Sequence, residues 1–551
     1  MGEGPTAPAF ATAPDTPPPG LVRRVLQTQR HLAGVISGAL IASVDADRQR
    51  PREQRHPLFG IRRGIAALLR PFIARDLRRL PFPVQLRRRL ERLGATYIKL
   101  GQILSLREDL LPRDITSEFK NLLDRLPAVP YERVVEIVEA TLERPVIAAF
   151  ASIERTPIGS ASIGQVHRAT TIGGDAVIVK IVKPGIRETL ERDAVLLRIS
   201  GTVLNWVIPR FRPKQVFAEF VEYTLREVDL RREADNAETF TANFKDRPDI
   251  VFPRIYRELS GRDVLTMEFL DGIKPSDVGA SLSDAERDTL IDLGATAIIR
   301  MLYRDGFFHA DLHPGNLMVL PGPKCGFIDL GMVGRFDEEL RRTLMYYFYC
   351  LVAGDAENAA RYLLAVAEPG PGADPHGFRR DVEDVSRRWS RTATFSDFSL
   401  ARLMLESVTR AAHYRMYFPV ELVLMVKAVV TYEGVGQMLK PGFDIASISQ
   451  AHIRAIFLEQ FSPLRFAREG ARSAPEVIDA LLRAPMLLNE GLRMIERTTR
   501  QPAENPLVGV RTSLLAGACL IGGVIALVTK GPLALWVGLF VLAVFFALKR
   551  K

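Results

Sequence analysis

Asp311, Asn316 and Asp329 stand at spacings that suit phosphoryl transfer, within the run HADLHPGNLMVLPGPKCGFIDLG of residues 309–331. Asp311 precedes Asn316 by five residues, and Asp329 opens Asp329-Leu330-Gly331 18 residues after Asp311. Phosphoryl transfer needs a carboxylate that orients or deprotonates the attacking hydroxyl. It also needs oxygen ligands that hold Mg²⁺ against the phosphates. An H-x-D-x-x-x-x-N loop followed by D-x-G supplies both. Asp311 is therefore the candidate base, and Asn316 and Asp329 are the candidate metal ligands. Phe327 and Ile328 read as a short buried strand that presents Asp329 at its end. His309, Asp311 and His313 also form an H-x-D-x-H pattern, but no further His or Cys stands nearby to complete a transition-metal site.

The other half of such a site must hold the nucleotide. Residues 159–166, GSASIGQV, occupy the frame of a G-x-G-x-x-G-x-V phosphate loop, with Ala161 in place of the second glycine. Gly159, Ser160, Ala161, Ser162, Ile163, Gly164 and Val166 are the candidate nucleotide-binding residues there. Lys180 follows Val166 by 14 residues in an alternating strand, on the face opposite Val177, Val179, Ile181 and Lys183. That selects Lys180 over Lys183 as the phosphate-gripping lysine. A helix carboxylate should pair with it. Glu227, Asp229 and Glu233 are the candidates, and spacing alone leaves the choice open. Met267-Glu268-Phe269 fits a hinge strand whose backbone, at Glu268 and Phe269, would bond an adenine edge.

The elements that must position these residues divide the chain. Residues 1–20 hold six prolines and no periodicity, and are expected to be disordered. Residues 90–106 follow a helical period, with Leu90, Leu93, Tyr97, Leu100 and Leu104 on one face. Lys99 and Gln102 fall on the other side, which periodicity alone makes an ordinary polar face. Strands are expected at Gln165–Ala169, Ala176–Val182 and Asp263–Phe269, interrupted by a helical run over 216–246. From about 283 the chain reads as mostly helical, including 336–366 and 398–440. A β-rich lobe followed by a helical lobe is the bilobal kinase architecture, an α+β fold. The expected domains are a helical extension over 21–149, an N-lobe over 150–270, a C-lobe over 271–500 and a C-terminal hairpin over 501–551.

Net charge is +10 over 551 residues, with a pI near 9.5 and Arg in heavy excess over Lys. That suits phosphate-rich ligands or an anionic membrane surface. No zinc-finger spacing or RNP-type motif argues for nucleic acid. Cys325, Cys350 and Cys519 are too scattered for a disulfide framework. Residues 61–94 are basic through Arg70, Arg75, Arg78, Arg79, Arg87, Arg88, Arg89 and Arg92. They read as a solvated helix face or a contact to anionic lipid headgroups. Residues 32–44 are apolar after Arg23, Arg24 and Arg30, yet lie too far in for a signal peptide and read as a packed helix.

At the C-terminus, 512–528 and 532–548 are apolar and are separated by Thr529-Lys530-Gly531-Pro532. At 17 residues each, they sit at the short end of what spans a bilayer. Arg493, Arg497, Arg500 and Arg511 before them, and Lys549-Arg550-Lys551 after them, place both ends on the cytoplasmic face of the inner membrane. The same hairpin could serve instead as a buried helical pair or as a hydrophobic arm for homodimerisation.

Taken together the chain resembles the UbiB family (AarF/ABC1/ADCK), atypical protein-kinase-like proteins tied to ubiquinone biosynthesis. Lys99-Leu100-Gly101-Gln102 matches the family's K-x-G-Q motif, Ile158–His167 its alanine-rich loop and Glu227-Val228-Asp229 its E-x-D motif. The resemblance covers roughly residues 85–440 and implies a helical extension folded over the active site, with Lys99 and Gln102 pointing into the cleft. It implies that Glu233 partners Lys180, and gives Lys99, Gln102, Glu227 and Asp229 a regulatory part. It implies ATP and Mg²⁺ as cofactors, with ATPase or small-molecule chemistry rather than ordinary protein phosphorylation. Membrane lipids, quinone precursors and quinone-biosynthesis proteins are the implied partners. Ala310 replaces the arginine of H-R-D and Leu330 the phenylalanine of D-F-G, which argues against control by an activation-loop phosphate. A small-molecule phosphotransferase and an ATP-binding pseudokinase scaffold are the competing readings.

Overall fold

In the computed structural model the described residues are 21–441, apart from 50, 52–58, 71–72, 75, 79, 106, 108–110, 123–127, 162, 208–211, 280–281 and 392–399, together with 508–528 and 532–548. The expected disorder of 1–20, loop residue Ser162, Arg75, Arg79 and the charges bracketing the C-terminal helices, from Arg493 to Arg500 and at 549–551, lie outside them. The chain forms two compact units, Met1–Gln460 and Phe461–Lys551.

The first unit begins with helices α1 (Leu21–Gln49), α2 (Phe59–Leu69), α3 (Phe82–Leu93), α4 (Ala95–Leu104), α5 (Arg113–Phe119) and α6 (Tyr131–Leu142). The helix expected over 90–106 is in fact two. Gly94 takes φ +90°, a left-handed value that ends α3 and starts α4. Leu90, Leu93, Tyr97 and Leu100 are nevertheless buried together, with Phe119, Leu122, Leu197 and Phe220.

The N-lobe sheet runs β1 (Phe150–Ile153), β2 (Gly159–Ser160), β3 (Gly164–Thr171), β4 (Ala176–Val182) and, after three helices and a short strand, β6 (Val264–Glu268). Its order is β1-β3-β4-β6 with β2 on β3, all antiparallel. The alternation read in β4 holds. Val177, Val179 and Ile181 are fully buried against Val134, Val138 and Phe150, which leaves Lys180 on the other face.

The intervening segment holds α7 (Ile186–Val207), α8 (Pro213–Glu227), α9 (Leu230–Asn243) and β5 (Ile250–Val251). The long helical run is therefore split at Val228-Asp229, where the Asp229 carboxylate accepts the Arg231 N–H and caps α9.

The helical lobe contains α10 (Asp284–Ile299), β7 (Phe307–His309), β8 (Leu317–Leu320), β9 (Lys324–Phe327), β10 (Val333–Arg335), α11 (Glu338–Val352), α12 (Ala356–Val366), α13 (Pro375–Arg391), α14 (Leu400–Ala411) and α15 (Val420–Leu439). β5, β9 and β8 form one small sheet, and β10 pairs with β7. The second unit's described residues form α16 (Val508–Val528) and α17 (Leu533–Leu548), which pack with Gly523 against the Phe540 ring.

Among the described residues α15 is the one helix long and apolar enough to cross a membrane, and more than half of it is buried in the lobe. The apolar parts of α16 and α17, Leu515–Val524 and Ala534–Val544, are shorter. The hairpin partners are present as helices, but membrane crossing does not follow from these lengths.

The basic region is more committed than a solvated face. Arg87 bonds Glu118 at 2.6 Å and also Glu91, Arg88 reaches Glu91, Arg92 pairs with Asp76, and Arg89 is buried.

Gly101 explains part of the K-x-G-Q spacing. A Cβ there would overlap Leu122 Cδ1 and lie 2.8 Å from Leu90 Cδ1, both buried. Gly101→Ala is expected to cost about 1–3 kcal/mol through overpacking. Melting curves of Gly101→Ala, Leu122→Ala and the double variant check this. The double variant should lose less than the sum of the single losses.

Candidate active site

The site is assembled around one lysine. Lys180 Nζ donates to both oxygens of Glu233 on α9, at 2.9 and 2.8 Å, and lies 3.5 Å from Asp329. Of the three acids that spacing left open, the structure brings Glu233 to Lys180. Glu227 instead accepts from Lys99 of α4 at 2.6 Å, and Asp229 accepts from Arg231 at 2.9 and 2.7 Å. Burial works against the Lys180 charge, but the Asp329 and Glu233 carboxylates reverse this and raise its pKa. Glu233 is pushed upward by burial first, with Asp329 adding to it against the pull of Lys180. Burial also disfavours ionised Asp329, yet Lys180 and the Gly331 N–H hold it down to about 2.

α9 is locked to the Asp329-Leu330-Gly331 segment as well as to the sheet. Asn236 Nδ2, one turn after Glu233, donates to the Leu330 carbonyl at 2.9 Å. A Cβ at Gly331 would lie 3.3 Å from Asp329 Oδ1 and 3.4 Å from Glu233 Oε2, so glycine lets the segment close on both carboxylates. Behind it Phe240 of α9 stacks on Phe252, which stacks on Phe327 of β9, with centroids 5.1 and 5.3 Å apart.

The catalytic loop is held from two sides. His309 is fully buried on β7, and its Nδ1 accepts the Asp311 N–H at 3.0 Å. Asn316 donates to the Asp311 carbonyl at 3.0 Å, and its own carbonyl accepts the Ile328 N–H at 3.0 Å, tying the loop to the strand that carries Asp329. His309 is thus a positioning group. Among the described residues no three His, Cys, Asp or Glu side chains gather as a metal site. Asn316 and Asp329 together offer only oxygen ligands. Asp329 is half open to the cleft, a donor set that suits Mg²⁺ completed by phosphate and water.

In the phosphate-loop frame, the Ala161 N–H donates to the Gly164 carbonyl at 2.9 Å. Gly159 and Ser160 form β2, Gly164 and Val166 lie in β3, and Ile163 is buried. Lys183, set aside as a phosphate ligand, donates to the Ala161 carbonyl at 2.6 Å and so anchors Ala161. At the hinge, Glu268 N–H donates to Arg254 and Phe269 N–H to Ala176, which leaves at most their carbonyls for an adenine edge. Lys99 is buried rather than on a solvated polar face, whereas Gln102 is half-buried.

Sequence reasoning missed two residues that face the same charges, and a third that braces the N-lobe sheet. Lys427 of α15 sits 2.7 Å from Asp311 Oδ1. It supplies a cation from a helix 116 positions away, a separation that leaves no local signal. The Tyr223 phenol is pushed well above its usual range by burial and then by Glu227, Asp311 and Asp329. It lies one turn before Glu227, so helical spacing from that acid could have found it. Buried Gln165 clamps the Val129 backbone through both amide atoms, at 2.7 and 3.1 Å, and contacts His167 at 2.9 Å.

This geometry coincides with a matched family model. Residues 121–363 match the ABC1 atypical kinase-like domain and residues 390–444 the UbiB helical domain. The "Probable protein kinase UbiB" of Marinobacter nauticus is 30% identical over 467 residues, covering 80% of this chain and 84% of that one. The chain belongs to the UbiB family of ABC1 atypical kinase-like proteins. The namesake of Xanthomonas euvesicatoria pv. vesicatoria is 32% identical over 77% of this chain and 80% of its own. An "Uncharacterized protein sll1770" from Synechocystis is 31% identical over 75% and 72%. A solved structure titled "The complex structure of Rv3197-erythromycin from Mycobacterium tuberculosis" overlaps in part. Its TM-score is 0.43 at 25% identity, covering 66% of this chain and 92% of that one. The UbiB helical model includes α15, and with it Lys427.

Burial holds the His309 pKa down to about 4. The unfolded chain takes up this proton near 6.5, whereas the folded chain refuses it until about 4. Stability should therefore fall as pH drops through that window, on the order of 3 kcal/mol from this residue. Apparent Tm measured from pH 7.5 to 4.5 checks it, with His309→Asn expected to show the shallower decline.

Proposed function

We propose that this UbiB-family chain is a membrane-anchored ATPase or phosphotransferase that uses Mg-ATP and supports isoprenoid quinone biosynthesis or the handling of lipid intermediates. The observation that carries the reading is the convergence of Lys180, Glu233 and Asp329 within 3.5 Å, beside a loop that holds Asp311 against Asn316. Inert remnants need not keep every charge in register.

In this reading Lys180, fixed by Glu233, grips the α/β-phosphates, and β2 with the start of β3 covers them. Asn316 and Asp329 would hold Mg²⁺, which would supply positive charge to offset that of the phosphates. Asp311 orients or deprotonates the nucleophile, with Lys427 beside it as a fixed counter-charge. Lys99, tied to Glu227, closes the side of the cleft where a protein substrate would enter. That favours a small acceptor or water. α16 and α17 form the anchor, with the catalytic unit on the cytoplasmic side, as the flanking arginines and lysines suggest. The quinone assignment rests on the family's name and resemblance.

ADP release from Mg-ATP by the solubilised full chain, with and without anionic lipid, tests the enzymatic reading. Asp311→Asn should lower turnover at least about 100-fold. Turnover no higher than in that variant, despite ATP binding, would replace the enzyme with an ATP-organised scaffold. By calorimetry, Asp329→Asn should abolish Mg-ATP binding; unchanged affinity would overturn its metal role.

A further inference from the structure

The helical extension contains a site that the catalytic reading does not use. Helices α1, α3, α4, α5, α7 and α8 enclose a hollow of about 610 Å³, within the range of small-molecule sites. Val35, Leu86, Leu100, Leu197, Leu204 and Phe217 are among its lining residues, and its wall is almost wholly apolar.

Arg89 interrupts that wall. It is only 4% exposed, yet neither Nε nor Nη2 has a hydrogen-bond partner among the described residues. Gly34 of α1 makes room for the guanidinium, since a Cβ there would overlap it. His31 Nδ1 and the Ser200 hydroxyl, also on the lining, are buried without partners. Nearby arginines are treated differently. Arg24 donates to Asp193 at 2.7 and 2.5 Å and to the Leu93 carbonyl at 2.8 Å. Asp76, whose charge reaches Arg89, pairs with Arg92 instead. A buried cation left without an anion is costly, and a carboxylate or phosphate delivered to it restores a charge-assisted bond.

We propose that this hollow binds a long-chain anionic amphiphile, its tail among the apolar side chains and its head group on Arg89, with His31 and Ser200 as further hydrogen-bonding groups. α7 points to a bilayer as the source. Its inward face carries Leu197, Ser200 and Leu204, while Val195, Ile199, Val203 and Trp206 are exposed along its outer face. The wall of the site is therefore apolar on both sides. This deepens the lipid-handling part of the proposed function and rests on it, but not on turnover.

The test is photo-crosslinking of the full chain, in phosphatidylcholine nanodiscs without nucleotide, by a diazirine-bearing C16 carboxylic acid and by its methyl ester. The acid should label peptides spanning 28–43 or 197–217 at least tenfold more than the ester. Arg89→Met should bring the acid down to the ester's level, Arg89→Lys should keep most of the preference, and Ser200→Phe should lower both. Equal labelling by acid and ester in the natural chain, an acid preference that survives in Arg89→Met, or label confined to 508–548 would overturn the site. Labelling without ATP turnover upholds the site while removing the enzymatic reading. Turnover without labelling does the reverse.

Discussion

The buried pair between Lys180 and Glu233 is the constraint on which the rest of the catalytic unit depends. Each group is costly in the interior without the other, and losing one partner of such a pair typically costs about 3–5 kcal/mol. The pair fixes α9 against the sheet. Asn236 and the ring stack of Phe240, Phe252 and Phe327 then fix α9 against the strand and turn that carry Asp329. One ion pair thus sets the distance between the N-lobe sheet and the segment that carries Asp329.

The same logic of paired charges extends outward. Lys99 is carried by a helix that approaches closely because position 101 is glycine, and its ammonium meets Glu227 at the end of α8. α8 also carries Tyr223, whose phenol feels Asp311 and Asp329. The extension bears on the cleft through electrostatics as well, since Lys99 is one of the charges that hold the Asp329 carboxyl down. The separation of Lys180 and Glu233 in sequence is filled by α7 and α8, which give the extension a surface to pack on.

Much of this was legible in the sequence, where local period or motif spacing carried it. The alternation of β4 selected Lys180, and the five-residue step from Asp311 to Asn316 survives as a hydrogen bond. Helical period grouped Leu90 with Leu100 but missed the break at Gly94, because a left-handed glycine between two helices leaves the apolar spacing almost intact. Periodicity alone puts Lys99 on a solvated face, and only the K-x-G-Q resemblance turns it inward, because nothing in its own helix reveals a partner 128 residues away. Lys427 was invisible for the same reason. Arg89 was hidden in a run of arginines whose neighbours do pair, so charge density pointed to a surface where burial was the fact.

The link after the Asp329-Leu330-Gly331 segment is short. Only residues 332–337 separate Gly331 from α11, three of them are strand β10, Leu330 is buried, and its carbonyl is held by Asn236. There is no slack chain with which Asp329 could swing out of the cleft. A ligand that needs this segment turned outward would first have to break the Asn236 contact and expose Leu330. A selective chemical probe of this protein would have to come in from the nucleotide side or by way of the helical extension.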